Sequence, residues 1–253
     1  MLFIVSPTKT MKTDGCITPC GCPCFLTESK QILTTLQHFS EDEIARIMKV
    51  NEKIAQQNKQ RYQEMKFDEH GKCAIESYDG LQFKYMHFAS LTAVQQAYLQ
   101  EHMRIISGFY GVVAPMDSIY PYRLEMQAKI SVDGYANLYD FWGAKIADEL
   151  KRLVAAQKTP YIINLASKEY EKAIRKYFDQ TQIIDVHFLV EKNGKRKSEA
   201  TAAKMARGEM IHFAACHQID EIKDLCKFDG NGFCYDEKAS SKTSLVFYKV
   251  QEV

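Results

Sequence analysis

Apolar runs of strand length alternate along this chain with segments of helical period, and the alternation has no fixed repeat. Leu2 to Val5 is an unbroken apolar run ended by Ser6-Pro7, which reads as a buried strand. Tyr161 to Ala166 reads as a second strand, and the β-branched and aromatic stretch Ile183 to Val190 as a third. Asn193-Gly194 then suits a type I′ hairpin turn. Gly232 to Tyr235 and Ser244 to Val250 read as the arms of a last hairpin. Between the strands, Ser40-Glu41-Asp42-Glu43 is a capping box that opens a long helix to about Met65. Thr92-Ala93-Val94-Gln95 is another, opening a helix through Ile106. Leu138 to Val154, Ser167 to about Phe178 and residues 199–216 read as further helices. With no internal repeat and no linker, the expectation is one α/β domain over residues 1–253.

Charge and length exclude several classes. Lys and Arg number 33 against 32 Asp and Glu, which rules out a basic tail or an acidic solvating protein. A local patch for nucleic acid is still compatible with that balance. No window approaches eighteen consecutive apolar residues, so no membrane span is expected. The N-terminus lacks a basic start and a signal-length apolar core, so the expected location is the cytoplasm. There the eight cysteines are expected as thiols or metal ligands rather than disulfides.

Four of those cysteines, Cys16, Cys20, Cys22 and Cys24, crowd one loop. Such a group suggests Zn²⁺ or an iron–sulfur cluster, but thiolate clusters usually contain a two-residue gap and this run has none. The expectation is an exposed thiol loop with no bound metal. His212 and Cys216 stand at i,i+4 without a third partner, a spacing that ordinary half-buried helices also show. No P-loop, dinucleotide fingerprint, Gly-x-Ser-x-Gly or His-Glu-x-x-His occurs, and no cofactor is expected.

Three other groupings carry possible chemistry. Ser107-Gly108-Phe109-Tyr110-Gly111 follows the helix opened at Thr92, and two glycines flanked by apolar residues resemble a helix-hairpin-helix element over about 92–120. Such a turn lets backbone N–H groups approach a DNA phosphate; the alternative is a tight connector. Residues 168–207 hold ten Lys and Arg against six acids. Lys168, Lys172 and Arg175 would share one helix face, and Lys204 and Arg207 another, giving stripes able to neutralise phosphates or merely solvated faces. Finally, Ser6, Lys9, Thr10, Arg123, Glu125, Asn164, Ser167 and Glu169 lie near expected strand ends, where open α/β sheets form ligand clefts. They would make an anion or proton-transfer site, or an ion-pair network that fixes the fold.

The chain resembles the YaaA peroxide-stress protein family. The matching stretches are Ser6-Pro7-Thr8-Lys9-Thr10, Ser107 to Gly111 with Pro115 and Asp117, and Pro121 to Met126. Leu138 to Gly143, Asn164 to Tyr170, Lys204 to Gly208, and Gly232-Phe233 with Tyr235 to Glu237 complete the set, in family order. The resemblance implies a cytoplasmic bacterial protein of peroxide resistance, with a single α/β domain of unusual topology and a positively charged cleft. It also implies DNA binding through the hairpin element, with Ser107, Gly108, Tyr110 and Gly111 as contacts; the clustered Lys168, Lys172, Arg175, Lys204 and Arg207, without a groove-reading motif, add the expectation of sequence-nonspecific phosphate contacts. Three features depart from the family pattern: Ala114 precedes Pro115 where an Arg is common, His212 precedes Phe213 where an Arg is frequent, and the cysteine loop is not shared.

Two functions of different class follow. One is DNA binding through phosphates in the basic cleft, limiting oxidative damage. The other is an enzyme acting on a small anionic or nucleotide-like substrate in the same cleft, with Lys9, Arg123, Glu125 and Glu169 as its catalytic candidates. Duplex DNA needs positive charge well beyond one pocket, whereas a small substrate needs a closed pocket with perturbed acids.

Overall fold

The computed structural model describes residues 1–67 and 71–250. Its frame is an eight-stranded sheet: β1 (Leu2–Val5), β2 (Met103–Ser107), β3 (Gly111–Val113), β4 (Ile162–Asn164), β5 (Ile183–Lys192), β6 (Lys195–Lys197), β7 (Cys234–Tyr235) and β8 (Ser244–Val250). The spatial order is β7-β8-β5-β4-β1-β2-β3, with β6 folded back on β5. The five strands from β8 to β2 run parallel, and each edge is closed by an antiparallel hairpin partner. All four residues of β1 are fully buried, because a parallel central strand is covered on both faces. That is why its sequence does not alternate.

From β1 the chain crosses to β2 on one side; it later returns to β4 on the other side and proceeds outward to β5 and β8. The order therefore reverses between β1 and β4. A crevice forms beyond the carboxyl ends of strands at such a reversal.

Both capping boxes form as expected. Ser40 Oγ accepts from Glu43 N at 3.3 Å and Glu43 returns a bond to Ser40 N at 2.8 Å, and Thr92 pairs likewise with Gln95. The helix expected to run to Met65 is two helices. Helix α2 (Glu41–Met48) follows α1 (Leu26–His38) and stops at Lys49, whose φ is +52°. Asn51 then caps α3 (Glu52–Glu64) by accepting from Ile54 N at 3.0 Å. The short α4 (Leu81–Lys84) precedes α5.

Helix α5 (Ala93–His102) ends four residues earlier than expected, and Met103 to Ser107 is strand β2 instead. Pairing with β1, Met103 opposite Phe3, outcompetes one more helical turn for these β-favouring residues. The helix-hairpin-helix expectation fails for this reason. The glycines join two antiparallel strands, with Ser107 opposite Gly111.

The expected helix 138–154 splits into α6 (Leu138–Trp142) and α7 (Lys145–Ala155) at Gly143, whose φ is +50°. The expected helix from Ser167 keeps only α8 (Lys168–Glu171) and a later 3-10 turn, as Arg175 turns to pair with Glu171 and Asp185. Helix α9 (Ala200–His217) matches the expected span closely. The Asn193-Gly194 turn has φ of +50° and +70°, as a type I′ turn requires.

Candidate functional site

Ser6 and Ser167 mark the reversal point chemically. Ser6 Oγ donates to Ser167 Oγ at 3.2 Å and accepts from Ser167 N at 2.8 Å, tying the end of β1 to the segment after β4. Ser167 thus serves this junction, and its side chain does not cap α8. Over the junction lies a cavity of about 380 Å³. Its walls come from residues 6–10, 79–83, 122–125, from Ser167, Glu169 and Tyr170, and from the first turns of α9.

The wall at 122–125 is held from behind. Buried Tyr62 of α3 donates its hydroxyl to Arg123 O at 2.5 Å. Gly108 stands against it so closely that a Cβ there would sit 2.9 Å from Leu124 O. On this wall Glu125 is 8% exposed, and its Oε1 meets Lys9 Nζ at 3.1 Å and Arg123 Nη2 at 3.3 Å. Two cations thus meet one oxygen of this carboxylate.

Glu169 occupies a different environment. Its Oε1 accepts from Gln127 N at 3.2 Å, but no cation pairs directly with it among the described residues. Burial first, then the charge of Glu125, pushes its carboxyl above the ordinary range. Tyr122 also lines the cavity, and burial pushes its phenol up to about 12.

The opposite wall is positive. Lys204 and Arg207, one turn apart on α9, line the cavity, and neither has an ion-pair partner among the described residues. Arg207 is half-buried and its Nε is buried without an acceptor. Burial alone acts on its guanidinium, pulling its pKa down. Gly208 sets this geometry, because a Cβ there would lie 2.2 Å from Gln82 O. Only a glycine lets α9 approach α4 closely enough to carry Arg207 over the cavity.

The structure therefore brings Lys9, Arg123, Glu125, Glu169, Lys204 and Arg207 around one cavity. It sends the other expected DNA contacts elsewhere. Lys168, Lys172 and Arg175 line a neighbouring groove with Lys176; Lys172 Nζ sits 4.7 Å over the Tyr139 ring, and Arg175 is neutralised by Glu171 and Asp185. Ser107, Gly108, Tyr110 and Gly111 are buried. Ser107 Oγ accepts from Phe109 N at 3.1 Å and Tyr110 N at 2.9 Å, and contacts Tyr122 OH at 2.6 Å. The N–H groups expected to face phosphate are thus turned inward.

Cys16, Cys20, Cys22 and Cys24 are exposed, and none lines the cavity. Among the described residues, no three His, Cys, Asp or Glu side chains converge as metal ligands. His212 Nε2 lies 3.4 Å from Cys216 Sγ while Nδ1 faces Met86 O at 3.0 Å, so the pair is a local contact. Sequence reasoning missed Asp79, Gln82, Tyr122 and Tyr170 as lining residues. Tyr122 and Tyr170 lie within stretches that match the family, and Asp79-Gly80 is a turn pair ahead of α4, whereas Gln82 carried no readable signal.

No helix among the described residues is long and apolar enough to cross a membrane. A family described as "Peroxide stress protein YaaA" matches residues 1–239. A UPF0246 protein of Clostridioides difficile (strain 630) is 40% identical over 251 residues, covering 98% of this chain and all of that protein. UPF0246 proteins of Ligilactobacillus salivarius, 41% identical, and Lachnoclostridium phytofermentans, 40% identical, align over 98% of this chain and over 100% and 96% of their own lengths. With nearly its whole length matched, this chain belongs to the peroxide stress protein YaaA family.

Proposed function

We propose that this protein supports resistance to peroxide stress by binding a small anionic ligand in the cavity between β1 and β4. The observation that carries this is Arg207: a half-buried cation on the cavity wall that, like neighbouring Lys204, has no ion-pair partner among the described residues. A desolvated guanidinium without a counter-charge is costly alone and binds a phosphate or carboxylate well. Glu125, neutralised by Lys9 and Arg123, does not cancel that field. Glu169, whose carboxyl is biased toward its protonated form, is the group able to hand over or take up a proton there.

The test is complementation of a strain lacking the protein. Wild type should restore survival in hydrogen peroxide, and Arg207→Met should not, although it folds. Full rescue by the variant would refute the reading.

DNA binding is a second reading, favoured by the exposed Lys168, Lys172 and Lys176 along the neighbouring groove. It would be nonspecific in sequence, with log affinity falling against log salt by about 0.9 per neutralised phosphate. Lys168→Ala with Lys172→Ala should flatten that slope. Affinity that is flat with salt in the wild type would remove this reading.

A further inference from the structure

The two walls of the cavity ask for different chemistry. On α9, Lys204 and Arg207 present positive charge with no ion-pair partner among the described residues. On the 122–125 wall, Glu125 Oε2 is a buried acceptor without a donor and Arg123 Nε a buried donor without an acceptor. Glu125 is more than nine-tenths buried, and its other oxygen already receives Lys9 and Arg123. An acceptor and a donor on one wall suit a planar edge that offers an N–H beside a lone pair. Phe83, Tyr122 and Tyr170 also line the cavity and supply the aromatic surface on which a flat ring packs. The volume of about 380 Å³ lies at the small end of ligand sites, enough for one ring system and one charged group.

We infer that the occupant is a nucleoside monophosphate or a close analogue, its phosphate toward Lys204 and Arg207 and its base edge toward Glu125 and Arg123. This rests on the anion-site reading above and adds the base to it. A sugar phosphate would satisfy the charged wall but leave the aromatic surface and the buried pair unused.

Calorimetric titration of the full chain at low salt distinguishes these cases. The probes are AMP, GMP, CMP, UMP, ribose 5-phosphate and inorganic phosphate. At least one nucleotide should bind about tenfold tighter than ribose 5-phosphate, the worth of one hydrogen bond to a charged group. Glu125→Gln should shrink that ratio, and an unchanged ratio in the folded variant would overturn the base assignment. If ribose 5-phosphate binds as tightly as every nucleotide, the base inference falls and the anion site stands. If none of the six probes binds, both fall. The comparison among probes needs only the wild-type chain, so a misfolded variant would not spoil it.

Discussion

Replacing Arg207 by Met separates a binding role from a structural one, because the two predict opposite signs in stability. The Nε–H of Arg207 is buried without an acceptor, and no carboxylate pairs with the guanidinium among the described residues. A buried donor left unsatisfied costs about 1–3 kcal/mol. Met keeps much of the aliphatic stem, and a near-isosteric swap of that kind costs under about 1.5 kcal/mol. The net expectation is a variant about 1 kcal/mol more stable than wild type. For a chain of this size that raises Tm by about 2–4 °C. Ligand binding should move the other way. Losing a charge-assisted hydrogen bond worth about 1.5–3 kcal/mol weakens phosphate binding by roughly 10- to 100-fold. Differential scanning calorimetry with and without phosphate reads both effects on one sample. A variant that melts several degrees lower and binds phosphate as before would show that Arg207 is a strut of the fold.

Three more outcomes follow from the same structure. Burial and Glu125 raise the Glu169 carboxyl, so the folded chain keeps a proton that the unfolded chain has released. Glu169 thus subtracts stability as pH rises from the ordinary carboxylate range through its raised value. Glu169→Gln should be more stable than wild type above that window and equal below it, in urea titrations at several pH values; parallel curves would dismiss the shift. Gly108→Val should cost about 1–3 kcal/mol in urea unfolding, because its Cβ would press on Leu124 O, and an unchanged midpoint would mean the turn does not brace the site wall. Although Cys24 is exposed as a residue, its thiol is pushed up to about 12, by desolvation of the sulfur first and by Glu149 second, so it should alkylate slowly at pH 8 and speed up as pH rises. Rapid labelling of Cys24 at pH 8 would contradict this.

How much of the molecule was legible depends on whether a signal was local. Ser40, Thr92 and Asn193-Gly194 act on their own neighbours, and each did what its residue type implies. The apolar run Leu2–Val5 identified a buried strand, since nothing else buries four consecutive side chains so briefly. Met103 to Ser107 was misread because its helical compatibility is local while its pairing with Phe3 to Val5 is not. Helix α1 is preceded by Phe25, which supplies no capping side chain, so its start left no mark. The same division holds for the site. Lys9, Arg123, Glu125, Glu169, Lys204 and Arg207 were all candidates from their motifs. That Arg175 would be neutralised and Arg207 left bare depended on Asp185 and on Gly208, through contacts no spacing encodes.

The central position of β1 bears on how the chain is made. Strand β1 is wholly apolar, and its partners lie at Met103 and Ile162 and beyond. Until β2 is made it has no strand of this sheet to pair with, and one edge of its backbone stays open until β4 emerges. The cavity closes later still, when α9 brings Lys204 and Arg207 against residues made some two hundred positions earlier. Contacts so distant in sequence make folding slow and leave the nascent chain prone to aggregate.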